Sequence, residues 1–337
     1  MTAPSSTTPS STTPSAATLG RSGLVVSRVG LGCNNLGRPG AATESQEGSD
    51  RVVGASLDAG ITLFDVADTY GATPGLAEER LGRALGARRS EVIVATKFGM
   101  DMGGVNGPDF GARGSRRYIR TAVEASLRRL GTDWIDLYQF HTPDPRTPIE
   151  ETMAALDDLV REGKVRYLGH SNRAGWQIAQ AEYVARELGI ERFVSAQNHY
   201  NLTDRRAELE VLPAARAFGI GVLPYFPLAN GLLTGKYASG SAPEGTRLAR
   251  TRKHLLEDAV SPTLRAYSAF AAARGISEVT VAIGWLLAQS PVASVIAGAT
   301  STEQVAANAS ADAWIPTAED LAELDLLFPA PAPIALY

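Results

Sequence analysis

Eight short runs rich in Val, Ile and Leu recur along this chain with helical patterns between them, and that alternation restricts its possible folds more than any other feature. The runs are "RVGLGC" (29 to 33 at its core), "ITLFDV" (61 to 66), "EVIVATKFG" (91 to 99) and "WIDLYQFH" (134 to 141). They continue with "VRYLGHSN" (165 to 172), "FVSAQNHY" (193 to 200), "IGVLPYFP" (220 to 227) and "VASVIAG" (292 to 298). Continuous apolar runs of this length suit strands buried on both faces, as in parallel sheets. Between them lie amphipathic segments such as "RYIRTAVEASLRRLG" (117 to 131), with Gly131 as a stop signal. "TPIEETMAALDDLVREGK" (147 to 164) is similar, with Thr147 as N-cap, Pro148 in the first turn and Gly163 at the end. Eight such units predict a (β/α)8 barrel, of the TIM-barrel class, rather than a doubly wound sheet.

Two segments fall outside the alternation. "LGRSGLVVS" (19 to 27) predicts a small hairpin ahead of the barrel, turning at Ser-Gly, and residues 228 to 260 form a long loop at its C-terminal face. Residues 261 to 290 supply helix before the last strand. Residues 1 to 18, "MTAPSSTTPSSTTPSAAT", hold no charge and no apolar run. They predict a disordered tail rather than a signal peptide, which leaves residues 19 to 337 as one barrel domain.

Composition narrows the function. The 337 residues are 44% apolar and 20% charged with net charge -4, which gives no electrostatic reason to expect a nucleic-acid or membrane partner. One cysteine, Cys33, rules out an intramolecular disulfide and any multi-cysteine metal site and fits a cytoplasmic protein. Nothing in the sequence sets the oligomeric state.

Chemistry in such barrels sits at the C-terminal ends of the strands. The residues there are Asp65, Asp68 and Tyr70; Lys97; His141; His170, Ser171 and Asn172; Gln197, Asn198 and His199; Tyr225 and Phe226; and Gly298. A metal-dependent hydrolase would want paired histidines, yet the four histidines are scattered and no His-x-His occurs. "GLGCNNLG" (30 to 37) places its third glycine two positions late for a dinucleotide fingerprint. No tyrosine lies four residues before a lysine, as a short-chain dehydrogenase requires.

What remains is a tyrosine, a lysine, an aspartate and a histidine on the ends of the second, third and fourth strands. A phenol is a poor acid at neutral pH, with an ordinary pKa of about 10, and a neighbouring ammonium lowers that value. A carboxylate can hold the ammonium, and a histidine can orient a carbonyl oxygen. Such a set polarises a C=O bond for hydride attack but supplies no hydride, so a nicotinamide cofactor is required.

The blocks "FDVADTYG", "VATKFG", "IDLYQFHTPDP", "GHSN", "PYFPLANGLLTGKY" and "VIAGATSTEQVAAN" together resemble the signature blocks of the aldo-keto reductase superfamily, closest to its bacterial and potassium-channel β-subunit-like branch. The likeness runs from about residue 19 to 328. It implies a catalytic tetrad of Asp65, Tyr70, Lys97 and His141, in which Tyr70 is the general acid, Lys97 lowers its pKa, Asp65 holds Lys97 and His141 orients the carbonyl. Asp68 is then a residue that structures the loop. The resemblance further implies cofactor contacts from Cys33 and Asn34, from Ser171, Asn172 and Gln197 at the nicotinamide, and from Tyr225 stacking on its ring. Phe226, Pro227, Leu228, Gly231, Leu232, Thr234 and Lys236 would wrap the pyrophosphate, and Gly298, Ser301, Gln304 and Asn308 the adenosine end.

Ser301 and Gln304 stand where many relatives carry Lys or Arg for the 2′-phosphate, so NADPH is the expected cofactor and NADH the open alternative, with an arginine from "TRLARTRK" (246 to 253) able to compensate. His170 and His199 read as structural or rim residues, and Trp134 and Trp176 as packing residues. The activity implied is reversible reduction of aldehydes or ketones. A cofactor-binding sensor or regulatory subunit is the second reading, and the substrate is not legible.

Overall fold

The computed structural model describes residues 15–236 and 261–332. Strands β1 (Ala16–Thr18) and β2 (Val25–Ser27) pair antiparallel. Eight parallel strands follow: β3 (Val29–Gly32), β4 (Leu63–Asp65), β5 (Ile93–Phe98), β6 (Ile135–Phe140), β7 (Val165–Ser171), β8 (Phe193–Gln197), β9 (Gly221–Val222) and β10 (Val295–Gly298). They are hydrogen-bonded in the order β10, β3, β4 through to β9. Three backbone bonds join the two ends of that sheet: Val222 N–H to the carbonyl of Pro291, Ala293 N–H to that of Val222, and Ile296 N–H to that of Pro224. The sheet thereby curls on itself, as the (β/α)8 reading expects.

Helices α1 (Gln46–Asp58), α2 (Leu76–Leu85), α3 (Arg116–Leu130), α4 (Ile149–Arg161), α5 (Gly175–Leu188) and α6 (Val211–Phe218) alternate with the strands. Two helices, Pro262–Ala273 and Glu278–Ala288, precede β10, and Thr302–Ala309 and Ala318–Leu327 follow it. The stop read from sequence is in place for α3, where Gly131 closes the helix with φ +63°, and at its start Ser115 accepts the N–H of Tyr118. For α4 the start moves. Pro148 is the N-cap, and the Thr147 hydroxyl donates instead to Asp144.

The period of two in the strands sorts their side chains. Leu63, Ala95, Leu137, Val194, Leu223 and Ile296 fill the lower barrel interior, where Leu19, Leu24 and Val26 of the hairpin plug it. Phe98, Tyr138 and Phe140 face outward and stack on one another against the helical layer, with ring centroids 4.7 and 5.0 Å apart. Above the apolar plug, the inward positions turn polar, and the site begins there.

Four expectations need correction. The hairpin takes in Ala16–Thr18, which the composition assigned to the tail, because these residues pair with Val25–Ser27 through the backbone. The seventh strand has only two residues, since Pro224 and Pro227 lack the N–H that a longer ladder needs. Trp176 is 63% exposed and is no packing residue. The long loop 228–260 contains a short 3-10 segment, Ala229–Thr234, and its residues 237–260 lie outside the described residues. Among the described residues no single helix is long and apolar enough to cross a membrane.

Helix α2, which follows the Tyr70 turn, approaches α3 through Gly82. A Cβ there would lie 2.4 Å from the carbonyl oxygen of Leu130, a backbone atom that cannot step aside alone. Gly82→Ala is expected to destabilise the fold by about 1–3 kcal/mol, read as a lower denaturation midpoint. An unchanged midpoint would mean the two helices do not pack this closely.

Candidate active site

Strand β4 ends at Asp65, but the chain keeps beside β5: Val66 N–H bonds the carbonyl of Ala95, and Asp68 N–H that of Lys97. Glycines at 71 and 75, with φ of +113° and +90°, then reverse the chain into α2. Tyr70 sits in this turn, its backbone held by N–H bonds from Tyr70 to Ala67 and from Ala77 to Tyr70. The turn therefore delivers a half-buried phenol to the barrel mouth, above Lys97 of β5 and beside His141 at the end of β6.

Lys97 is wholly buried. Its ammonium has three N–H donors and three acceptors: Asp65 Oδ2 at 2.7 Å, the Val66 carbonyl at 2.9 Å and Tyr70 Oη at 3.3 Å. Asp65 Oδ1 accepts from Gln197 Nε2 at 2.8 Å and Gln139 Nε2 at 3.1 Å. Every polar atom of the pair is thus engaged, the condition under which a buried ion pair is tolerated. Burial alone would lower the Lys97 pKa, but the Asp65 carboxylate and the bonds to Asp65 and Tyr70 outweigh it and hold it above its usual value.

Burial pushes the Tyr70 phenol up, and the Lys97 charge and hydrogen bond pull it back without cancelling the rise. Lys97 thus acts in the lowering direction expected from sequence, while desolvation of the phenol sets the net direction upward. His141 meets Tyr70 edge-on, with ring centroids 5.9 Å apart. Burial, then the Lys97 charge, lowers its pKa to about 3, so the imidazole is neutral, and its buried Nδ1 has no partner among the described residues. Asp65, Tyr70, Lys97 and His141 therefore converge.

Beside them, Asn172 adopts φ +57°, a left-handed conformation that asparagine tolerates. Its Nδ2 donates to the His141 carbonyl and to Ser171 Oγ, both at 3.0 Å, while its Oδ1 accepts from Tyr225 Oη at 2.8 Å. The Ser171 hydroxyl donates to the Gln197 carbonyl. Tyr225 is thereby fixed as a half-buried shelf, with the His199 ring stacked parallel on it at 5.4 Å and Phe226 edge-on at 5.1 Å. Next in the chain, Phe226, Ala229, Asn230 and Gly231 all have positive φ. Pro227 is buried, Leu228 and Leu232 pack against the core, Thr234 donates to the Gly231 carbonyl, and Lys236 is exposed.

At the far end, β10 sets Gly298 beside Gly32 of β3. A Cβ on Gly298 would lie 3.1 Å from Asn35 Nδ2, with Asn34 next to it. Ser301 caps the helix Thr302–Ala309, Gln304 Oε1 accepts from Thr300 N–H at 2.8 Å, and Asn308 Nδ2 donates to the Gly298 carbonyl at 3.4 Å. These side chains build the helix entry and carry no charge. The basic run 246–253 lies outside the described residues.

One expected contact is placed differently. Cys33 is fully buried with its thiol on the Leu31 carbonyl, and burial holds its pKa far up, so it neither lines the mouth nor ionises. Gln197 lies beside Ser171 and Asn172, whose hydroxyl and backbone N–H donate to its carbonyl, and directs its amide nitrogen to Asp65. One residue was missed. Gln139 shares the inward parity of Leu137 and His141, and a lone amide in the apolar run "IDLYQFH" was the available signal. Asp68 joins a separate buried chain. It accepts from Asn106 Nδ2, the Asn106 carbonyl oxygen accepts from Arg129, and Arg129 pairs with Glu78, which also takes the Thr96 hydroxyl. Among the described residues no three His, Cys, Asp or Glu side chains are grouped as a metal site would require.

His170 faces outward from β7, wholly buried and with both ring nitrogens unpartnered, and burial drives its pKa well down. His141 and His170 both bind a proton more readily unfolded than folded. Stability should therefore fall as pH drops below about 6.5, by up to about 1.4 kcal/mol per pH unit for each histidine. The fall should continue toward pH 3, where His141 itself titrates. Denaturant midpoints from pH 7 to 4 check this, and a shallower fall in a His170→Asn variant assigns its share.

The sequence profile of the Aldo/keto reductase family matches residues 28–327. An uncharacterized oxidoreductase, YrpG, of Bacillus subtilis is 38% identical over 323 residues, which cover 93% of this chain and 95% of that protein. An L-glyceraldehyde 3-phosphate reductase of Escherichia coli is 36% identical over 304 residues, 87% of this chain and 86% of its own length. A probable voltage-gated potassium channel subunit beta of Oryza sativa subsp. japonica is 37% identical over 308 residues, 88% and 91% of the two chains. A profile match along nearly the whole barrel, over a mouth built from tyrosine, lysine, aspartate and histidine, assigns the chain: it belongs to the aldo/keto reductase family.

Proposed function

We propose that this oxidoreductase reduces aldehydes or ketones to alcohols, reversibly, with NADPH as hydride donor and Tyr70 as proton donor. The observation that carries the reading is the contact of the Lys97 ammonium with both Asp65 Oδ2, at 2.7 Å, and Tyr70 Oη, at 3.3 Å. A phenol so placed has a cation to receive its negative charge once the proton has left.

The residues present suit a nicotinamide dinucleotide. Tyr225 offers a ring face beside Asn172, and the strained Phe226–Gly231 turn leaves Asn230 Oδ1 buried without a partner. Gly298 keeps a gap against Asn35 that a side chain would fill. When bound, the cofactor supplies the hydride to the carbonyl carbon. Ser171 and Asn172 would hold the carboxamide end, Gly231, Thr234 and Lys236 the pyrophosphate, and Gly298, Ser301, Gln304 and Asn308 the adenosine end.

Tyr70 gives its proton to the carbonyl oxygen as negative charge develops there. Lys97 stabilises the phenolate left behind, and Asp65 keeps Lys97 protonated and in register. His141, neutral throughout the working pH range, orients the carbonyl beside Tyr70 without competing as an acid. Alcohol oxidation runs the same contacts backward. The name of the E. coli relative supports a carbonyl substrate, and the absence of a cation at positions 301 and 304 makes NADH the alternative donor. We place the activity in the cytoplasm, in keeping with a protein that has a single cysteine.

The similarity to a channel β subunit favours one other reading, a cofactor-binding sensor with slow turnover. Steady-state oxidation of NADPH by a panel of carbonyls separates the two. Tyr70→Phe should lower kcat by about 10²–10⁴-fold while fluorescence titration finds cofactor affinity unchanged. Retained activity in that variant would remove Tyr70 from the proton step, and cofactor binding without turnover in the native chain would favour the sensor.

A further inference from the structure

A cleft of about 550 Å³ opens on the outer side of the barrel, between the β6–α4 connection and the first turns of α5. It is separate from the mouth described above. Phe140, which lies in its floor, points away from the interior that Gln139 and His141 face. Pro143, Pro145, Pro148 and Trp176, the last 63% exposed, also line it. Rigid prolines and an indole suit a flat apolar body.

Arg173 also lines this cleft, yet it is only 4% exposed. Among the described residues its buried Nε has no hydrogen-bond partner and no carboxylate acts on it. The guanidinium lies 5.2 Å from the Phe140 ring centroid and 5.8 Å from that of Phe193. Ring faces attract a cation but leave its charge uncompensated. A buried charge in that state is costly, and such groups ordinarily carry a counter-charge.

Two carboxylates, Asp144 and Glu150, share the lining, but neither is paired with Arg173. Asp144 is occupied by the N–H groups of Gly114 and Arg146 and by the Thr147 hydroxyl. Glu210 takes the N–H of Gly175, Glu150 is exposed at the rim, and His170 is buried and neutral. Burial lowers the Arg173 pKa to about 10, which still leaves it a cation at neutral pH.

We propose that this cleft is a binding site for a small organic anion, a carboxylate or phosphate carried on a flat apolar body, with Arg173 as the counter-charge and Trp176 against the body. The inference is independent of the carbonyl chemistry, since it uses none of the residues of the barrel mouth.

Benzoate and phenyl phosphate serve as the two anionic probes and benzamide as the neutral one, each titrated into the full chain while tryptophan emission is followed. Either anion should quench saturably with a Kd of about 1 mM or below, and the tighter of the two names the head group. The signal should vanish in Trp176→Phe, and affinity should fall at least about tenfold in Arg173→Met, a loss of about 1.4 kcal/mol. Because Arg173 is buried, an exposed pair of variants guards against misfolding: Gln180→Lys should tighten the anions and Gln180→Glu weaken them. Benzamide binding as well as benzoate, equal affinity in Arg173→Met, indifference to the charge at position 180, a signal that survives in Trp176→Phe, or no quenching up to about 10 mM would each overturn the proposal.

Discussion

The ion pair between Asp65 and Lys97 is the constraint on which the rest of the site depends. An ammonium with no exposure to water is stable only when all three donors are matched, and here they reach a carboxylate, a carbonyl and a phenol. That requirement fixes where β4 ends, how long the chain stays beside β5, and where Tyr70 must stand. Gln139 and Gln197 complete the arrangement from the opposite side by saturating the second carboxylate oxygen. Four strands thus contribute to one charge pair, which is possible only because parallel strands bring successive C-terminal ends to the same level.

The barrel supports this by separating its interior into layers. Apolar side chains and the hairpin plug fill the barrel from below, while in the polar layer above the Asp65–Lys97 pair is satisfied within the protein. Desolvation then acts on three groups at once: it raises Tyr70, lowers His141 and opposes the charge on Lys97. The lysine keeps its charge because a carboxylate is 2.7 Å away, and the histidine loses its charge because burial and then the Lys97 cation disfavour it. The same burial thus leaves one base protonated and the other neutral.

Much of this was legible in the sequence, for a physical reason. Strands buried on both faces read as unbroken apolar runs, so all eight were found, and a polar residue closing such a run stood out as Asp65, Lys97 and His141 did. Gln139 was harder, because a single amide inside a run resembles a satisfied core residue until its partner on another strand is known. Trp176 was misread since its type suggests packing; Ile178, Ala181 and Ala185 form the buried stripe of α5, and Trp176 lies off it with Tyr183. The direction of the Tyr70 shift depended on the balance of burial against one ammonium, which spacing along a chain does not express. Ala16–Thr18 were hidden because backbone pairing alone holds them, with no side-chain pattern to announce it.

In the proposed mechanism Lys97 sets the acidity of Tyr70, and the most direct measurement of that is the titration of the Tyr70 Cζ resonance in protein carrying 13C-labelled tyrosine. In the native chain Tyr70 should titrate above the ordinary value of 10. In Lys97→Met, with the cation gone and burial retained, it should titrate higher still. A Tyr70 pKa that stays the same or falls in that variant would contradict the account.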